Sequence, residues 1–220
     1  MSYRLPAMPL EKNRQHLEAL AGSRTAGNPA ARLLAAARSL FYEQGYALAG
    51  INDIISRSNT SKKSFYRYFP SKQKLGEAYL KGQTRDLIRF IDWLDSKSRD
   101  YDHFCSLWAR SMMRIASRSD YNGCPFANAR AQAPEFHDLI QDIHELQILR
   151  LEKLISRLRP DLERKKQCHW IAQIASMQYQ GAIHYWRLSG DVESFRNMAL
   201  MLKTLPDLAG SRKGRRVPRV

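Results

Sequence analysis

Two stretches of the sequence decide the fold, Ala31-Arg-Leu-Leu-Ala-Ala-Ala-Arg-Ser-Leu-Phe41 and Ser64-Phe-Tyr-Arg-Tyr-Phe-Pro-Ser-Lys-Gln-Lys-Leu75. In the first, apolar side chains recur every three or four residues, which is the period of an amphipathic helix. Pro29 suits the first turn of this helix, because the N–H that proline lacks would have no partner there. Gly45 follows at the position where a left-handed residue commonly ends a helix. The first stretch therefore predicts a helix over residues 29–44.

The second stretch predicts a short helix that follows a tight turn. Asn59 suits the turn because asparagine tolerates positive φ better than most residues. Ser61 is a favourable N-cap, and Pro70 ends the helix at Phe69, since the residue before a proline avoids the helical region. A further short helix precedes the turn and carries three isoleucines on one face: Ile51, Ile54 and Ile55. Two short helices joined by a tight turn, the second rich in Lys, Arg, Tyr and Ser, are typical of a helix-turn-helix that binds DNA.

Four lysines lie where a helix disfavours positive charge. Lys62 and Lys63 fall in the first turn of the third helix, and Lys72 and Lys74 fall in the first turn of the fourth, which Ser71 caps. The helix dipole makes each such charge unfavourable by about 0.3–1 kcal/mol. A single lysine would be an ordinary solvated side chain, but four at two adjacent helix starts favour a phosphate backbone that lies across them.

The net charge of +15 is concentrated in one part of the chain. Residues 1–85 hold 14 Lys or Arg against 5 Asp or Glu, residues 86–210 hold 17 against 16, and residues 211–220 hold 5 against none. The positive charge therefore coincides with the predicted helix-turn-helix and a short tail. This distribution fits a nucleic-acid footprint better than a uniformly basic surface would.

The run from Ser61 to Lys72, together with residues 34–45, resembles the N-terminal domain of the TetR family of transcriptional regulators. The resemblance implies an all-α fold, in which a three-helix helix-turn-helix domain precedes a helical bundle for ligand binding and dimerisation. The apolar periodicity agrees and predicts about nine helices, with long ones at 71–97, 102–117, 135–158, 161–188 and 191–205. We expect four segments: a flexible N-terminal arm at 1–28, the helix-turn-helix domain at 29–74, the effector-binding and dimerisation domain at 75–208, and a basic flexible tail at 209–220.

The resemblance also implies that the third helix reads the major groove of double-stranded DNA. By position, the residues that contact DNA are Asn52, Lys62, Lys63, Ser64, Tyr66, Arg67, Tyr68 and Lys72. The chain departs from the family pattern at Ile55, Asn59 and Lys63, so the operator sequence does not carry over from relatives. Ala49 stands where a threonine N-cap is common, and we expect this to weaken the second helix by roughly 1 kcal/mol.

A homodimer on a palindromic operator and an unknown small-molecule effector are further implications of the resemblance. The candidate pocket residues are mostly aromatic or apolar: Phe90, Trp93, Phe104, Trp108, Met112, Phe126, His137, His144, Trp170, Gln173 and Met177. Most buried aromatic residues only pack, so each of these is more often plain core than a ligand contact. The candidate dimer residues mix small and large side chains on the last two long helices: Ala172, Ala175, Tyr179, Ile183, Trp186 and Phe195. A core helix within one chain is the alternative explanation of this pattern.

Cys124 adds an alternative signal. The segment Gly123-Cys-Pro-Phe-Ala-Asn128 resembles a Gly-Cys motif at the start of the sixth helix in part of the family, and some relatives sense electrophiles or oxidants through a cysteine. A thiol at a helix N-terminus is more reactive, although a small, buried, unreactive cysteine in a tight turn is the commoner case.

The sequence therefore favours a repressor released by a small apolar or aromatic effector. A thiol-based redox or electrophile sensor and an architectural DNA-binding protein without an effector stay open.

Other functional classes have no support in the sequence. No apolar run is long enough to span a bilayer, and the N-terminus lacks the apolar core of a signal peptide, so we expect a cytoplasmic, nucleoid-associated protein. Three widely spaced cysteines (Cys105, Cys124 and Cys168) fit a reducing compartment. We find no zinc spacing, nucleophile elbow or placed carboxylate pair, so we expect no metal, no cofactor and no enzyme activity.

Overall fold

The computed structural model describes residues 28–162 and 165–211, and its backbone is helical with no strand in those ranges. The described residues form nine α-helices and one short 3-10 helix: α1 (Pro29–Glu43), α2 (Ile51–Arg57), α3 (Lys62–Tyr68), α4 (Lys72–Lys97), α5 (Tyr101–Ala116), α6 (Pro125–Gln132), the 3-10 helix (Pro134–Phe136), α7 (His137–Leu158), α8 (Lys165–Ser189) and α9 (Glu193–Ser211). The predicted all-α fold is confirmed. Most of the predicted N-terminal arm, 1–27, and residues 212–220 of the predicted tail lie outside the described residues. None of the described helices is long and apolar enough to cross a membrane.

The chain divides into two compact units. The first holds the described residues up to Trp93 together with Cys124–Ile143. The second holds Leu94–Gly123 and the described residues from His144 onwards. The first unit therefore contains the helix-turn-helix, α6 and the 3-10 helix, and the second contains α5, α8 and α9, while α4 and α7 contribute residues to both.

The core of the first unit forms beneath α1. Leu33, Ala37 and Leu40 lie on one face of α1 and are at most 2% exposed. This face packs against α2 and α3, whose Ile54 and Phe65 are fully buried. Burying a side chain of this size stabilises the fold by about 1.5–3 kcal/mol relative to leaving it exposed. The apolar side of α1 therefore holds both short helices in place.

Both ends of α1 are closed by local chemistry. At the N-terminus, the Oδ1 atom of Asn28 accepts the N–H of Ala30 at 3.0 Å, with Pro29 in the first turn. At the C-terminus, Gly45 adopts a φ of 87°. These observations confirm the predicted start and the predicted left-handed stop, because each depends on one or two adjacent residues.

The core of the second unit forms where α9 packs against both α5 and α8. Large core side chains that are at most 1% exposed include Phe104, Leu151, Ile171, Phe195 and Leu202. The end of α9 differs most from the sequence prediction. The apolar periodicity predicts that the last helix ends at residue 205, but α9 continues through Pro206 to Ser211, so residues 209–211 of the predicted flexible tail are helical.

A tyrosine from α5 accounts for the continuation of α9. Proline at position 206 removes the N–H that would donate to the carbonyl of Leu202, four residues earlier. The hydroxyl of Tyr101 donates to that carbonyl oxygen at 3.0 Å. Tyr101 is 3% exposed, and burial raises the pKa of its hydroxyl well above the ordinary value, so it stays protonated and able to donate. A distant side chain thus replaces the hydrogen bond that the proline removes.

We predict that Tyr101→Phe destabilises the second unit by about 1–3 kcal/mol, because the Leu202 carbonyl would be buried without a donor. Urea or thermal denaturation of the full chain measures this. Ser106→Ala, which removes an exposed hydrogen bond from a hydroxyl to the carbonyl oxygen of Asp102 on the same helix, is the control and should have little effect. In a Pro206→Ala background the alanine N–H restores the missing donor, so Tyr101→Phe should cost less there; an equal cost in both backgrounds would contradict the explanation.

Candidate nucleic-acid interface

The turn between α2 and α3 is closed by bonds among its own residues. Asn59 has a φ of 47°, the left-handed conformation predicted from the sequence. The Oγ atom of Ser58 donates to the carbonyl oxygen of Ile55 at 3.0 Å and lies 2.8 Å from the Oγ1 atom of Thr60. The N–H of Thr60 donates to the same Ile55 carbonyl at 3.2 Å. The chain therefore leaves α2 and enters α3 through a specified geometry.

The starts of the two helices are capped in different ways. The Oγ atom of Ser61 accepts the N–H of Ser64 at 3.1 Å, which confirms the predicted N-cap of α3. The N-cap of α2 is Gly50, whose N–H donates to the Oδ2 atom of Asp53 at 3.2 Å. The cap position is therefore Gly50 and not Ala49, which is a buried residue before it. As expected, no N-cap side chain bonds the first-turn N–H groups of this helix. Glycine at an N-cap costs only a few tenths of a kcal/mol relative to serine or aspartate.

One aromatic residue anchors α3, and most of its other side chains face outward. Phe65 is fully buried, and the ring of Tyr66 packs edge-on against it with centroids 5.2 Å apart. The predicted DNA contacts on α3 are exposed, apart from the half-buried Ser64: Lys62, Lys63, Tyr66, Arg67 and Tyr68. Asn52 is exposed on α2. The arrangement presents cationic and phenolic groups together on a helix whose opposite side is fixed in the core.

The lysines at the start of α4 are engaged within the protein. The Nζ atom of Lys72 donates to the carbonyl oxygen of Ala47 at 3.2 Å and lies 4.6 Å from the ring centroid of Tyr46. Burial lowers the pKa of Lys72. The Nζ atom of Lys74 lies 2.9 Å from each carboxylate oxygen of Glu77. Lys62 and Lys63 are exposed on α3. They and Lys72 stay predicted phosphate contacts.

Arg67 and Tyr68 form a local pair at the end of α3. The Nη2 atom of Arg67 donates to the hydroxyl of Tyr68 at 3.2 Å, and the guanidinium carbon lies 4.8 Å from the ring centroid. Both side chains are exposed. The contact aligns a planar cation and a phenol on the outer side of the helix, where both can donate to phosphate oxygens or base edges.

An ionic contact joins α1 to α2 within the helix-turn-helix. The Nη1 atom of Arg57 lies 2.9 Å from both the Oγ atom of Ser39 and the Oε2 atom of Glu43. The hydrogen bond from Ser39, followed by that from Arg57, holds the pKa of Glu43 below its usual value. Sequence reasoning missed this contact because opposite charges on successive helices do not reveal which of them meet.

The 3-10 helix and α6 pack against the loop that joins α1 and α2. The Oε1 atom of Gln132 accepts the N–H of Ala47 at 3.3 Å, and the ring of Phe136 meets Tyr46 edge-on with centroids 4.7 Å apart. Gly76 of α4 permits this approach, since a Cβ there would lie 2.4 Å from the Phe136 ring. The first unit thus joins the helix-turn-helix to a segment from the middle of the chain.

The predicted effector residues are divided between the two units. Phe90, Trp93, Phe126 and His137 belong to the first, where Phe90 and Trp93 stack with centroids 6.0 Å apart. The rest belong to the second, where three are buried on α5 (Phe104, Trp108, Met112) and Trp170 is half-buried on α8. His144, Gln173 and Met177 are exposed, which argues against them as lining residues of a pocket within their own unit. The other eight stay predictions.

Several buried side-chain polar atoms of the second unit have no hydrogen-bond partner within the described part of the chain. They include the Nε1 atom of Trp108, a residue 3% exposed, the Oγ atom of Ser176, a residue 1% exposed, and the Oγ atoms of Ser98 and Ser194. The Trp108 ring packs between Phe104, at 5.5 Å between centroids, and Tyr179, at 5.2 Å. Ser176 lies one turn before Tyr179 on α8. Buried donors without a partner cost free energy unless a ligand or water satisfies them.

Four of the six predicted dimer residues face the interior of their own unit: Ala172, Ala175, Ile183 and Phe195 are at most 4% exposed within the single chain. For these four, the alternative explanation, a core helix within one chain, accounts for the pattern. Tyr179 and Trp186 are half-buried and pack on rings of the same unit, and they stay predicted dimer contacts. The exposed apolar side chains of α8 and α9 are different ones, between 51% and 75% exposed: Met177, Tyr185, Leu188, Leu200, Met201 and Leu208. We call this set the outer face.

The three cysteines are all buried and carry no disulfide. Burial raises the pKa of Cys105 to about 12 and also raises the pKa of Cys168, so both are protonated at neutral pH. Cys124, the candidate redox residue, is the N-cap of α6 and is 7% exposed. Oxidation of a thiol depends on access as well as reactivity, so this placement gives the thiol-sensing alternative limited support.

Comparisons with known proteins agree with this geometry. Residues 33–79 match the sequence model of a family described as bacterial regulatory proteins, tetR family. The chain is 40% identical over 60 residues to an uncharacterised HTH-type transcriptional regulator of Mycobacterium tuberculosis, a match that spans 27% of this chain and only 30% of that relative. It is 23% identical over 184 residues to the HTH-type transcriptional repressor NemR of Escherichia coli, with 79% of this chain and 91% of NemR covered.

Solved structures share the fold at low sequence identity. A TetR-family transcriptional regulator from Streptomyces coelicolor has a TM-score of 0.71 and 22% identity, with 83% of this chain and 96% of that chain covered. The reduced form of Escherichia coli NemR has a TM-score of 0.71 and 18% identity, with 80% and 95% covered. Both likenesses extend over the two units described above.

Proposed function

We propose that this chain, a member of the TetR family of transcriptional regulators, is a homodimeric repressor. A small apolar or aromatic effector would release it from a palindromic operator. The observation that carries the proposal is α3 itself, where Phe65 is fully buried and Lys62, Lys63 and Arg67 are exposed. Exposed cations at the start of a helix supply the phosphate contacts, and the side chains along it supply contacts to base edges.

The interior of the second unit supports an effector. The indole N–H of Trp108 lies between the rings of Phe104 and Tyr179, and it is buried without a partner in the described part of the chain. The hydroxyl of Ser176 is also buried without a partner in those residues. An apolar environment with a few convergent polar groups is typical of a small-molecule site. An effector with an aromatic or aliphatic body and one hydrogen-bond acceptor matches these groups. Its binding would favour a dimer state whose two reading helices no longer fit the half-site spacing.

The outer face of α8 and α9 supports the homodimer. Six large apolar side chains exposed on two adjacent helices exceed the scattered exposure of ordinary surfaces. Gly181 lies between Met177 and Tyr185 on α8, and a Cβ there would meet nothing within 4 Å. A helix from a second copy can therefore approach this strip closely. Two copies joined here would supply the pair of reading helices that a palindromic operator requires.

We predict that replacing Lys62 and Lys63 together by glutamine weakens DNA binding and reduces its salt dependence. Each lost phosphate contact lowers the slope of log affinity against log salt by about 0.9, so the pair should lower it by roughly 1.8. Fluorescence anisotropy with a labelled duplex over a range of salt concentrations measures the slope. Lys81→Gln with Lys97→Gln, on the exposed side of α4, removes the same charge and should leave the slope almost unchanged. An unaltered slope in the α3 variant would exclude these lysines as phosphate contacts.

The function as a whole is tested by binding to the DNA that flanks the gene. We expect specific binding to a palindrome that small-molecule extracts release and that a thiol oxidant does not. Release by oxidant, abolished in Cys124→Ser, would instead establish the thiol-sensing alternative. Specific binding that neither treatment alters would favour an architectural protein. Binding with no preference for any palindrome over scrambled duplex would contradict the repressor.

We predict that Leu188→Asp, at the most exposed position on the outer face of α8, yields a folded monomer. A carboxylate in a buried apolar interface is costly because its charge loses its hydration. Light scattering coupled to size exclusion gives the oligomeric state, and circular dichroism checks the helix content. Leu149→Asp, at an exposed leucine of α7, is the control and should stay dimeric. A dimeric Leu188→Asp variant would place the interface elsewhere.

A further inference from the structure

We propose that Arg32 is a positioning residue of the helix-turn-helix, which holds the turn before α3 in the shape that presents the reading helix. The inference rests on the proposed DNA-binding function. Arg32 lies near the start of α1, and its side chain is half-buried. It reaches 26 residues along the chain to the turn that separates α2 from α3.

One guanidinium binds two successive carbonyl groups of that turn. The Nε atom of Arg32 donates to the carbonyl oxygen of Ser58 at 3.1 Å, and its Nη2 atom donates to the carbonyl oxygen of Asn59 at 3.3 Å. Both carbonyls lie beyond the last residue of α2, where backbone acceptors need partners from outside the helix. Hydrogen bonds from a charged donor are stronger than those between neutral groups.

The two carbonyls belong to the peptide planes on either side of Asn59. Their relative orientation is set by φ and ψ of that one residue, and a rigid planar cation that binds both fixes these angles together. Asn59 is the one non-glycine residue with positive φ in the described part of the chain, and this conformation is less favourable than a right-handed one even for asparagine. The guanidinium therefore compensates for that cost and selects one direction for the chain that enters α3.

The direction matters because α3 follows at once. Thr60 and Ser61 separate Asn59 from the first residue of α3, Lys62, so a rotation at Asn59 swings the whole reading helix relative to α1. The side-chain bonds of Ser58 close the turn onto Ile55 within α2, whereas Arg32 ties the turn to a different helix. Arg32 acts through the turn and need not touch DNA.

The experiment uses the full chain with Arg32→Met, which removes the donors, and with Arg89→Met as the control. Arg89 carries the same charge on α4 in the same unit and pairs with Asp86 three residues away. The DNA probes are the tightest-binding duplex that the wild-type protein selects from a random pool and a scrambled duplex of equal length. We expect Arg32→Met to weaken binding to the selected duplex about tenfold more than the control does. Binding to the scrambled duplex and the salt slope should match those of the control.

Each of four results would overturn the proposal. A salt slope lower than the control's by about 0.9 would show that Arg32 holds a phosphate instead. Equal losses on both duplexes would show a general effect on folding or charge, as would a loss that follows the melting temperature. An affinity for the selected duplex equal to that of the control would show that the contact between Arg32 and the turn does not contribute to DNA binding. Arg32→Lys, which keeps the charge but not the planar pair of donors, should lose affinity for the selected duplex as well, and it serves if Arg32→Met does not fold.

A measurement without DNA separates this proposal from the proposed function. The amide of Thr60 donates to Ile55 within the turn, so its hydrogen exchange reports how often the turn opens. Exchange at Thr60 should be about tenfold faster in Arg32→Met than in Arg89→Met, with exchange in the core of α1 unchanged. Equal exchange rates in the two variants would contradict the proposed role of Arg32 even if the protein binds an operator. Faster exchange in a protein that selects no duplex would support the role of Arg32 in the turn and contradict the proposed repressor function.

Discussion

Two helices of seven residues each cannot be stable by themselves, so the helix-turn-helix depends on packing against the rest of the first unit. Forming a helix starts with an unfavourable turn, and isolated helices shorter than about 12–15 residues are marginal in water. α2 and α3 each have seven residues, so their stability has to come from packing. The fully buried Ile54 and Phe65 provide it by docking on the apolar side of α1. The surface that faces outward on α3 is thereby free to carry residues that do nothing for its stability.

Side-chain hydrogen bonds satisfy backbone groups at the ends of the two short helices, which apolar packing cannot do. Ser61 and Asp53 satisfy N–H groups at the two helix starts, and Ser58 closes the end of α2. Against these stand Lys62 and Lys63, whose charges oppose the dipole of α3. A helix selected for stability alone would carry acids there. The balance indicates a surface that accepts a cost in the free protein for an interaction with an anionic partner, which agrees with a DNA-binding domain.

The second unit shows how one helix can carry two apolar sides. The inner side of α8 holds Ala172, Ala175 and Ile183 against α9 and the rest of the core, while Met177, Tyr185 and Leu188 point outward. A helix that is apolar on both sides is expected where one side packs within the chain and the other meets a partner. Burial of the small residues inside also explains how α8 and α9 pack so extensively along their lengths.

The sequence alone determined what depends on neighbouring residues. The period of apolar residues predicted the helices, and Pro29, Gly45, Asn59 and Ser61 predicted their boundaries, because caps and turns are made within a few positions. The resemblance carried by residues 61–72 supplied the family and the outward-facing residues of α3. The position of the helix-turn-helix therefore follows from the order of residues along the chain.

Only the tertiary structure decided what depends on distant residues. Periodicity could not tell which apolar side of α8 packs within the chain, since both sides repeat with the same period. Periodicity also could not show that α9 continues past Pro206. The hydrogen bond that the proline removes is replaced by the hydroxyl of Tyr101, which donates to the carbonyl oxygen of Leu202 from a distant part of the sequence. The pairs Arg57–Glu43 and Arg32–Asn59 are hidden for the same reason. Such contacts exist only once the helices have packed, and packing brings together residues that the chain order keeps apart.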